Sequence, residues 1–417
     1  MLGRDEELAR LRAVLGGRAG TRSAVLLQGG YGSGKSALLR ALRAEELAAG
    51  RAVLSATAEP LESTVEFAVA RQLFDDVHAG ERGTPPVPRP LTGPGATAEA
   101  AGEALYAAVA AHAAHRPVLV AVDDLQHADA ASLRWLGYLI RRADDLPLTV
   151  LATLGPGEPG EGAHEDELAD LLRLLPRQQH LLPLDEDTVH RLAVHALGER
   201  ADRAVAAACR TATAGNPLLL QALLRTLATS PGRPGEEGWE EATAGTVHEI
   251  RPAVRALLGD LGAEAEATAT TLAVLGGAQS VELVSQTAGL SAPVTQDTLH
   301  RLTRLGLVVV TGAGLVRAAC PLLEAAEAAC VAPSRRRELH GRAADLLRGW
   351  AAPCEQIAAH LVRCDSGRPW ADAVLRDAAA LAAGRGDPAR AAAYLRRTRS
   401  GTRPAALPPE RDSAPPR

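Results

Sequence analysis

The run AVLLQGGYGSGKSALLR at residues 24–40 constrains this chain more than any other stretch. Residues 24–27 form a short apolar run of the kind that makes a buried strand. They lead into Gly29-Gly30-Tyr31-Gly32-Ser33-Gly34-Lys35-Ser36, followed by Ala37, which fits G-x-x-x-x-G-K-S. Leu38, Leu39 and Leu42 recur at helical spacing, so a helix opens inside the motif. Strand, glycine loop and helix in that order give the pattern a mechanism. Gly30, Gly32 and Gly34 let backbone N–H groups converge on an anion with no Cβ in the way. The helix after Gly34 turns its positive end toward the same point. Lys35 supplies a compact charge for β and γ phosphates, and Ser36 offers a hydroxyl to Mg²⁺. Lys35 is the only lysine among 45 basic residues. An ammonium is thus kept where a forked guanidinium would fit badly. The bland alternative is a glycine-rich turn with a surface lysine.

A second signal lies downstream. Residues 117–122, PVLVAV, run without a polar break into Asp123-Asp124, as in a buried parallel strand ending in two carboxylates. In a phosphate-loop protein that is where Asp123 would hold Mg²⁺ through its shell and Asp124 would orient or deprotonate the attacking water. The competing reading makes the pair a cap for a helix at 130–140, or part of a loop.

The rest of the first half alternates strands (52–56, 117–122, 148–153, 180–184) with helices (2–14, 67–77, 98–115, 133–142, 168–175). Glycine- and proline-rich loops are expected at 84–95 and 155–162. This spacing predicts an α/β fold, a parallel sheet with helices on both faces. Arg4, taken alone, reads as a solvated surface charge. From Asp185 onward strand signals vanish and helices are expected at 185–197, 201–214 and 217–229. Gly215-Asn216-Pro217 breaks the second and starts the third, with Pro217 at its first position and Asn216, the chain's only asparagine, as its N-cap.

Residues 230–241 read as a Pro/Gly/Glu linker. Four helices are expected between 248 and 305, then a small hairpin with strands at 306–311 and 315–318, an order resembling a winged helix. From 249 to 327 there are eight acidic residues and five arginines, so this region reads as a packing module rather than a nucleic-acid reader. Helices at 334–350, 355–364, 370–383 and 388–399 suggest antiparallel hairpins opening an α-solenoid. Arg335-Arg336-Arg337 reads there as a solvated helix face. Residues 400–417 are expected to be disordered. The domains are therefore a P-loop core at 1–184, a helical lid at 185–230, a linker at 231–247, a winged-helix-like domain at 248–333, helical hairpins at 334–399 and a tail.

A formal net charge of −5 gives no bulk attraction for nucleic acid. Five cysteines without a C-x-x-C pair read as reduced thiols in a cytosolic protein, and no spacing fits a zinc site. The polar start carries no signal peptide, and no apolar run is long enough to span a bilayer, so a soluble, cytoplasmic protein is expected.

Taken in order, these pieces resemble the ATPase half of the large ATP-binding LuxR-type regulators of actinobacteria, within the STAND class of AAA+-like NTPases. The resemblance rests on Gly3-Arg4-Asp5-Glu6-Glu7, the loop from Gly29 to Ser36, Val120-Ala121-Val122-Asp123-Asp124-Leu125-Gln126-His127-Ala128-Asp129 and Gly215-Asn216-Pro217-Leu218. Residues 335–347 (RRRELHGRAADLL) and 357–361 (IAAHL) add to it. It implies ATP and Mg²⁺ as cofactors, Gly3 and Arg4 against the nucleotide base, and Pro217 of the lid touching the nucleotide. It also implies slow hydrolysis coupled to a switch in a regulatory protein, acting through a protein partner or self-association. Two departures stand out: His127 takes a position that is commonly Trp, and no arginine follows the strand ending near Thr153, where many members have one. Members usually continue to a DNA-binding helix-turn-helix, and this chain stops before one, so direct DNA binding is not expected.

Overall fold

The computed structural model describes residues 3–15, 23–75, 97–155, 164–230, 237–365 and 367–398. The expected loops at 84–95 and, beyond Gly155, at 155–162 lie outside them, as do Val77 and the tail. The chain forms two compact units. One comprises Met1–Ile250, His300–Val308 and Ala319–Leu323, the other Arg251–Leu299, Val309–Ala318 and Glu324–Arg417.

The first unit is built on a five-stranded parallel sheet. Its strands are β1 (Ser23–Gln28), β2 (Ala52–Thr57), β3 (Val118–Asp123), β4 (Leu148–Leu154) and β5 (Arg177–His180), in the order β2-β3-β4-β1-β5. Alternation along the strands sorts two cores. Val25, Leu27, Leu119, Ala121 and Leu151 face α1 (Asp5–Leu15) and α2 (Lys35–Ala48). Leu26, Leu54, Val120, Val122 and Val150 belong to the opposite core, with α3 (Ala68–Asp75), α4 (Ala98–Ala113), α5 (Ala130–Arg142) and α6 (Glu165–Arg173). Both faces are thus covered, as the uninterrupted apolar run of β3 requires.

The last strand departs from expectation. It lies at Arg177–His180, not at 180–184, and its side chains are mostly exposed. Among the described residues it is an edge strand paired with β1 alone, so backbone bonds define it and polar side chains suit it. Apolar Leu181 continues the pairing through its N–H to Gln28 O and is buried.

Three helices follow: α7 (Glu186–Leu197), α8 (Arg203–Thr213) and α9 (Pro217–Thr229). They pack on one another. Next, α10 (Glu237–Asp260) corrects the expected linker at its C-terminal part, because helix begins at Glu237 and runs through 247. Ala242, Thr246, Ile250, Val254 and Leu258 are all buried, a repeat of four that holds one helical stripe inward.

Then come α11 (Ala263–Leu275), α12 (Val281–Ala288), α13 (Ala292–Leu305) and the paired strands β6 (Val308–Val310) and β7 (Val316–Ala318), in the order expected. An unexpected helix, α14 (Pro321–Cys330), follows. In the second unit, α15 (Pro333–Gly349), α16 (Cys354–Leu361), α17 (Ala371–Gly384) and α18 (Pro388–Arg396) each pack on the next. Leu375, Ala378, Ala379 and Ala382 bury against neighbours, and small alanine side chains let the α17 backbone come close.

Candidate functional site

α2 begins at Lys35 directly after Gly34. Gly32 and Gly34 have φ of +72° and +95°, a region L side chains enter at a cost. Among the described residues, the N–H groups of Gly32, Gly34, Lys35, Ser36 and Ala37 have no protein acceptor. That leaves a cluster of backbone donors at the positive end of a 14-residue helix, a cradle for an anion. The Lys35 ammonium donates to Gly29 O (2.8 Å) and Gly30 O (3.2 Å). Burial lowers its pKa, while Asp124 and then Asp123 pull the other way.

Gly30 plays a different part from the one its place in the motif suggests. Its φ is not positive, and a Cβ there would lie 3.1 Å from Leu305 O. The same carbonyl accepts the Tyr31 N–H at 2.9 Å. Glycine at 30 therefore admits the end of α13 rather than an anion.

Sheet order brings the acids to this cradle. β4 lies between β1 and β3 and carries Thr153 in register with Leu27. The Thr153 hydroxyl, fully buried, donates to Asp123 Oδ1 (2.5 Å) and accepts the Asp124 N–H (2.8 Å). Ser36 Oγ donates to the same Asp123 oxygen at 3.2 Å. Asp124 stands in a left-handed conformation, φ 54° and ψ 49°, which costs about 1–2 kcal/mol in a residue with a Cβ. Gln126 holds it there. Its Nε2 donates to Asp124 Oδ1 (3.1 Å), and its Oε1 accepts the Gly155 N–H (2.7 Å). The helix-cap reading of the acid pair fails, since the cap of α5 is Asp129. Asp129 accepts the N–H groups of Ser132, Phe67 and Val69 and is buried.

Arg4 is not a solvated surface charge. It is 4% exposed, and its Nη2 donates to Ser33 O (3.0 Å) in the loop and to Leu182 O (2.8 Å). Its Nη1 meets Glu7 Oε1 at 2.7 Å. Gly3, at φ +88°, sits against α7, where a Cβ would come 2.9 Å from Thr188 Cγ2. Pro217 occupies the first turn of α9, and Asn216 is its N-cap through Oδ1 to Leu218 N and Leu219 N. Asn216 does more than cap: its Nδ2 donates to Tyr31 O at 2.7 Å. A Cβ on Gly32 would lie 2.7 Å from Asn216 Oδ1, so that glycine serves the close approach of the lid as well as its own turn. Asn216→Ala is expected to lower the stability of the first unit by about 1–2 kcal/mol, from the lost cap and the lost tie. Thermal unfolding beside Asn216→Asp, which keeps only the cap, measures the two parts.

Sequence reading missed Gln126, the Leu305 carbonyl and the tie from Asn216 to Tyr31. Only the position of Asn216 at a helix start carried a signal. The cysteines at 209, 320, 330, 354 and 364 are free thiols. Among the described residues no group of three or more His, Cys, Asp or Glu is arranged to hold a metal.

Residues 1–151 match the model of the AAA ATPase domain. This span includes Arg4, the glycine loop, Asp123 and Asp124, and such a domain implies ATP binding. No curated protein matches the chain. Among solved structures, the fold is similar to that of a Walker-type ATPase of Pyrococcus abyssi, at 15% identity and a TM-score of 0.54, over 78% of this chain and 96% of that one. The Aeropyrum pernix ORC1 protein, solved in complex with DNA, aligns at 19% identity and a TM-score of 0.43, over 79% of this chain and 93% of that one. A STAND protein with a tetratricopeptide repeat sensor from Pyrococcus horikoshii aligns at 15% identity and a TM-score of 0.36, over 95% of this chain and 58% of that one. The match over residues 1–151 gives the chain an AAA-type ATPase domain, on the P-loop α/β fold described above and followed by a mostly helical region. No helix among the described residues is long and apolar enough to cross a membrane.

Proposed function

We propose that this chain is a signalling ATPase of the STAND type, in the lineage of the ATP-binding LuxR-type regulators, which binds ATP with Mg²⁺ and hydrolyses it slowly to switch a regulatory protein. The observation that carries the reading is the cradle of unpaired amides beside Lys35, with Ser36 and Asp123 joined at one carboxylate oxygen 3.2 Å away. The donor set fits the cofactors. Amides and an ammonium suit phosphate oxygens, and a hydroxyl with a carboxylate suits a hard divalent ion. Ser36 and Asp123 would hold Mg²⁺, which would neutralise charge between the β and γ phosphates. The loop from Gly29 to Ala37 would meet the phosphates through the amides of Gly32 and of Gly34 to Ala37, with Gly3, Arg4 and Pro217 at the rim. Asp124 would take the proton of the attacking water, its orientation set by Gln126 and Thr153. We place the protein in the cytoplasm, working through a protein partner or self-association and not through direct DNA contact, given the acidic balance of 249–327.

Phosphate release under multiple turnover tests this. Asp124→Asn should slow release by roughly a hundredfold or more, the usual contribution of a general base, with ATP binding retained. An unchanged rate would remove Asp124 from the chemistry. A second reading, a module that holds nucleotide without turnover, is favoured by one feature: after β4 the chain reads Leu154-Gly155-Pro156, and Gly155 is tied to Gln126 where an arginine could have met the γ phosphate. Wild-type release no faster than background would select that reading.

A further inference from the structure

The second unit contains a cleft of about 1200 Å³ that the nucleotide chemistry does not use. It is large enough for a metabolite-sized molecule, since such pockets commonly span about 300–1,000 Å³. Its walls come from α11, α12, α14, α15 and α16, with Arg390 contributed by α18.

Two features of the lining point to a ligand. The first is charge. Arg336, Arg337, Arg363 and Arg390 line the cleft against a single acid, Glu324. Arg337 is paired with Asp365. Among the described residues, Arg336, Arg363 and Arg390 have no acidic partner within ion-pair distance. Unlike charges spread over a surface, these converge on one concavity, where their fields add. The triplet at 335–337 keeps the solvated face expected of it, with Arg336 and Arg337 at the open side of the cleft.

The second feature is the pair His340 and His360, each 6% exposed and each in the cleft lining. Their Nδ1 atoms are hydrogen-bonded to each other at 3.1 Å. Only one of the two can donate that bond, so the partner must carry its proton on Nε2. The pair therefore offers one bare Nε2 and one Nε2–H. Among the described residues neither Nε2 has a protein partner, and neither is sealed from solvent. Burial first, then the other histidine and the arginines, brings the His340 pKa to about 4, and burial and Arg363 do the same for His360. Both rings are neutral at physiological pH. Buried polar groups are normally satisfied, and here a donor and an acceptor stand open beside three unpaired cations. Trp350, 40% exposed, with Leu347 and Leu283, gives the cleft an apolar side.

We propose that this cleft binds a small organic anion, a molecule with a carboxylate or phosphate group and an apolar or aromatic body, its charge met by Arg336, Arg363 and Arg390 and its polar edge by His340 and His360. The site lies wholly in the second unit, so it stands independently of how the glycine loop is read.

Titration calorimetry on the full chain with benzoate and phenyl phosphate, beside benzyl alcohol as the uncharged probe, tests the assignment. At least one anion should bind roughly tenfold or more tightly than benzyl alcohol, the scale of one hydrogen bond to a charged group. The stronger of the two identifies the head group. Arg336→Ala with Arg363→Ala, both on the accessible rim, should weaken that anion roughly tenfold or more. His340→Phe, which keeps a ring of similar shape and removes the polar edge, should weaken it; it also leaves the buried His360 Nδ1 without its partner and lowers the melting temperature, so affinity is compared at a temperature where both proteins are folded. Equal affinity for benzyl alcohol, no binding by either anion, or anion binding that survives the double arginine change would each overturn the proposal. The last outcome would place the anion elsewhere, the glycine loop included.

Discussion

Lys35→Ala should abolish the rise in melting temperature that ATP with Mg²⁺ gives this chain, while the unliganded protein melts close to wild type. The two halves of that result come from different physics. The ammonium is buried, and among the described residues it bonds to the Gly29 and Gly30 carbonyls. Burial lowers its pKa against the pull of Asp124 and Asp123, so folding gains little from holding this charge. Deleting it removes a desolvated cation as well as two hydrogen bonds, and the terms oppose. With nucleotide present the balance changes. A charge-assisted bond to phosphate is worth about 1.5–3 kcal/mol, so affinity should fall roughly tenfold to a hundredfold or more. Wild type at a ligand concentration about a hundredfold above Kd is stabilised by about 2.7 kcal/mol. The variant at the same concentration should show almost none of this. Lys35→Arg should not rescue it, because the forked head is larger than the space a 9% exposed lysine occupies. Equal ATP-dependent shifts in wild type and Lys35→Ala would sink the reading of the loop.

What could be read before any coordinates was whatever local order encodes. The glycine spacing, the apolar run into Asp123-Asp124 and the proline after Asn216 each place an element through neighbours in sequence, and β1, α2, β3 and α9 stand where those signals put them. The edge strand at Arg177–His180 carried no apolar signal because it is defined by pairing with β1. The start of α10 was hidden by a Pro/Gly/Glu run whose composition outweighed the buried stripe from Ala242 to Leu258. At the site, the missing parts were those made across long separations. Arg4 looks like any surface arginine until Ser33 and Leu182 supply carbonyls to it. Asn216 looks like a cap alone until Tyr31, 185 positions away, arrives at its Nδ2. No periodicity reports such a meeting, because it depends on which strand of the sheet lies beside which.

Glu327→Met should stabilise the second unit by about 1–3 kcal/mol near neutral pH, the usual cost of a buried polar group left without a partner. Glu327 is fully buried on α14, and among the described residues neither carboxyl oxygen has a hydrogen-bond partner. Burial, with Glu324 adding to it, holds the carboxyl pKa well above 4.5. The native state therefore keeps a proton that the unfolded chain releases. For a group raised in this way, the stability it contributes is fully present below the unfolded pKa and is lost as pH rises through the folded value. Above about pH 4.5 the wild-type protein should thus lose stability with rising pH on account of this residue, by at most about 1.4 kcal/mol per pH unit. Methionine, unbranched and similar in length, fills the same space without a proton to hold. Its advantage should be larger at pH 8 than at pH 5, a sign that a general packing gain would not produce. Glu327→Gln should remove the pH dependence and keep the unsatisfied polar atoms, so it should gain less than methionine. Calorimetric unfolding of the full chain at the two pH values reads both effects. If Glu327→Met melts lower than wild type at pH 8, the carboxylate is held by a partner, and its burial is functional rather than a cost to the fold.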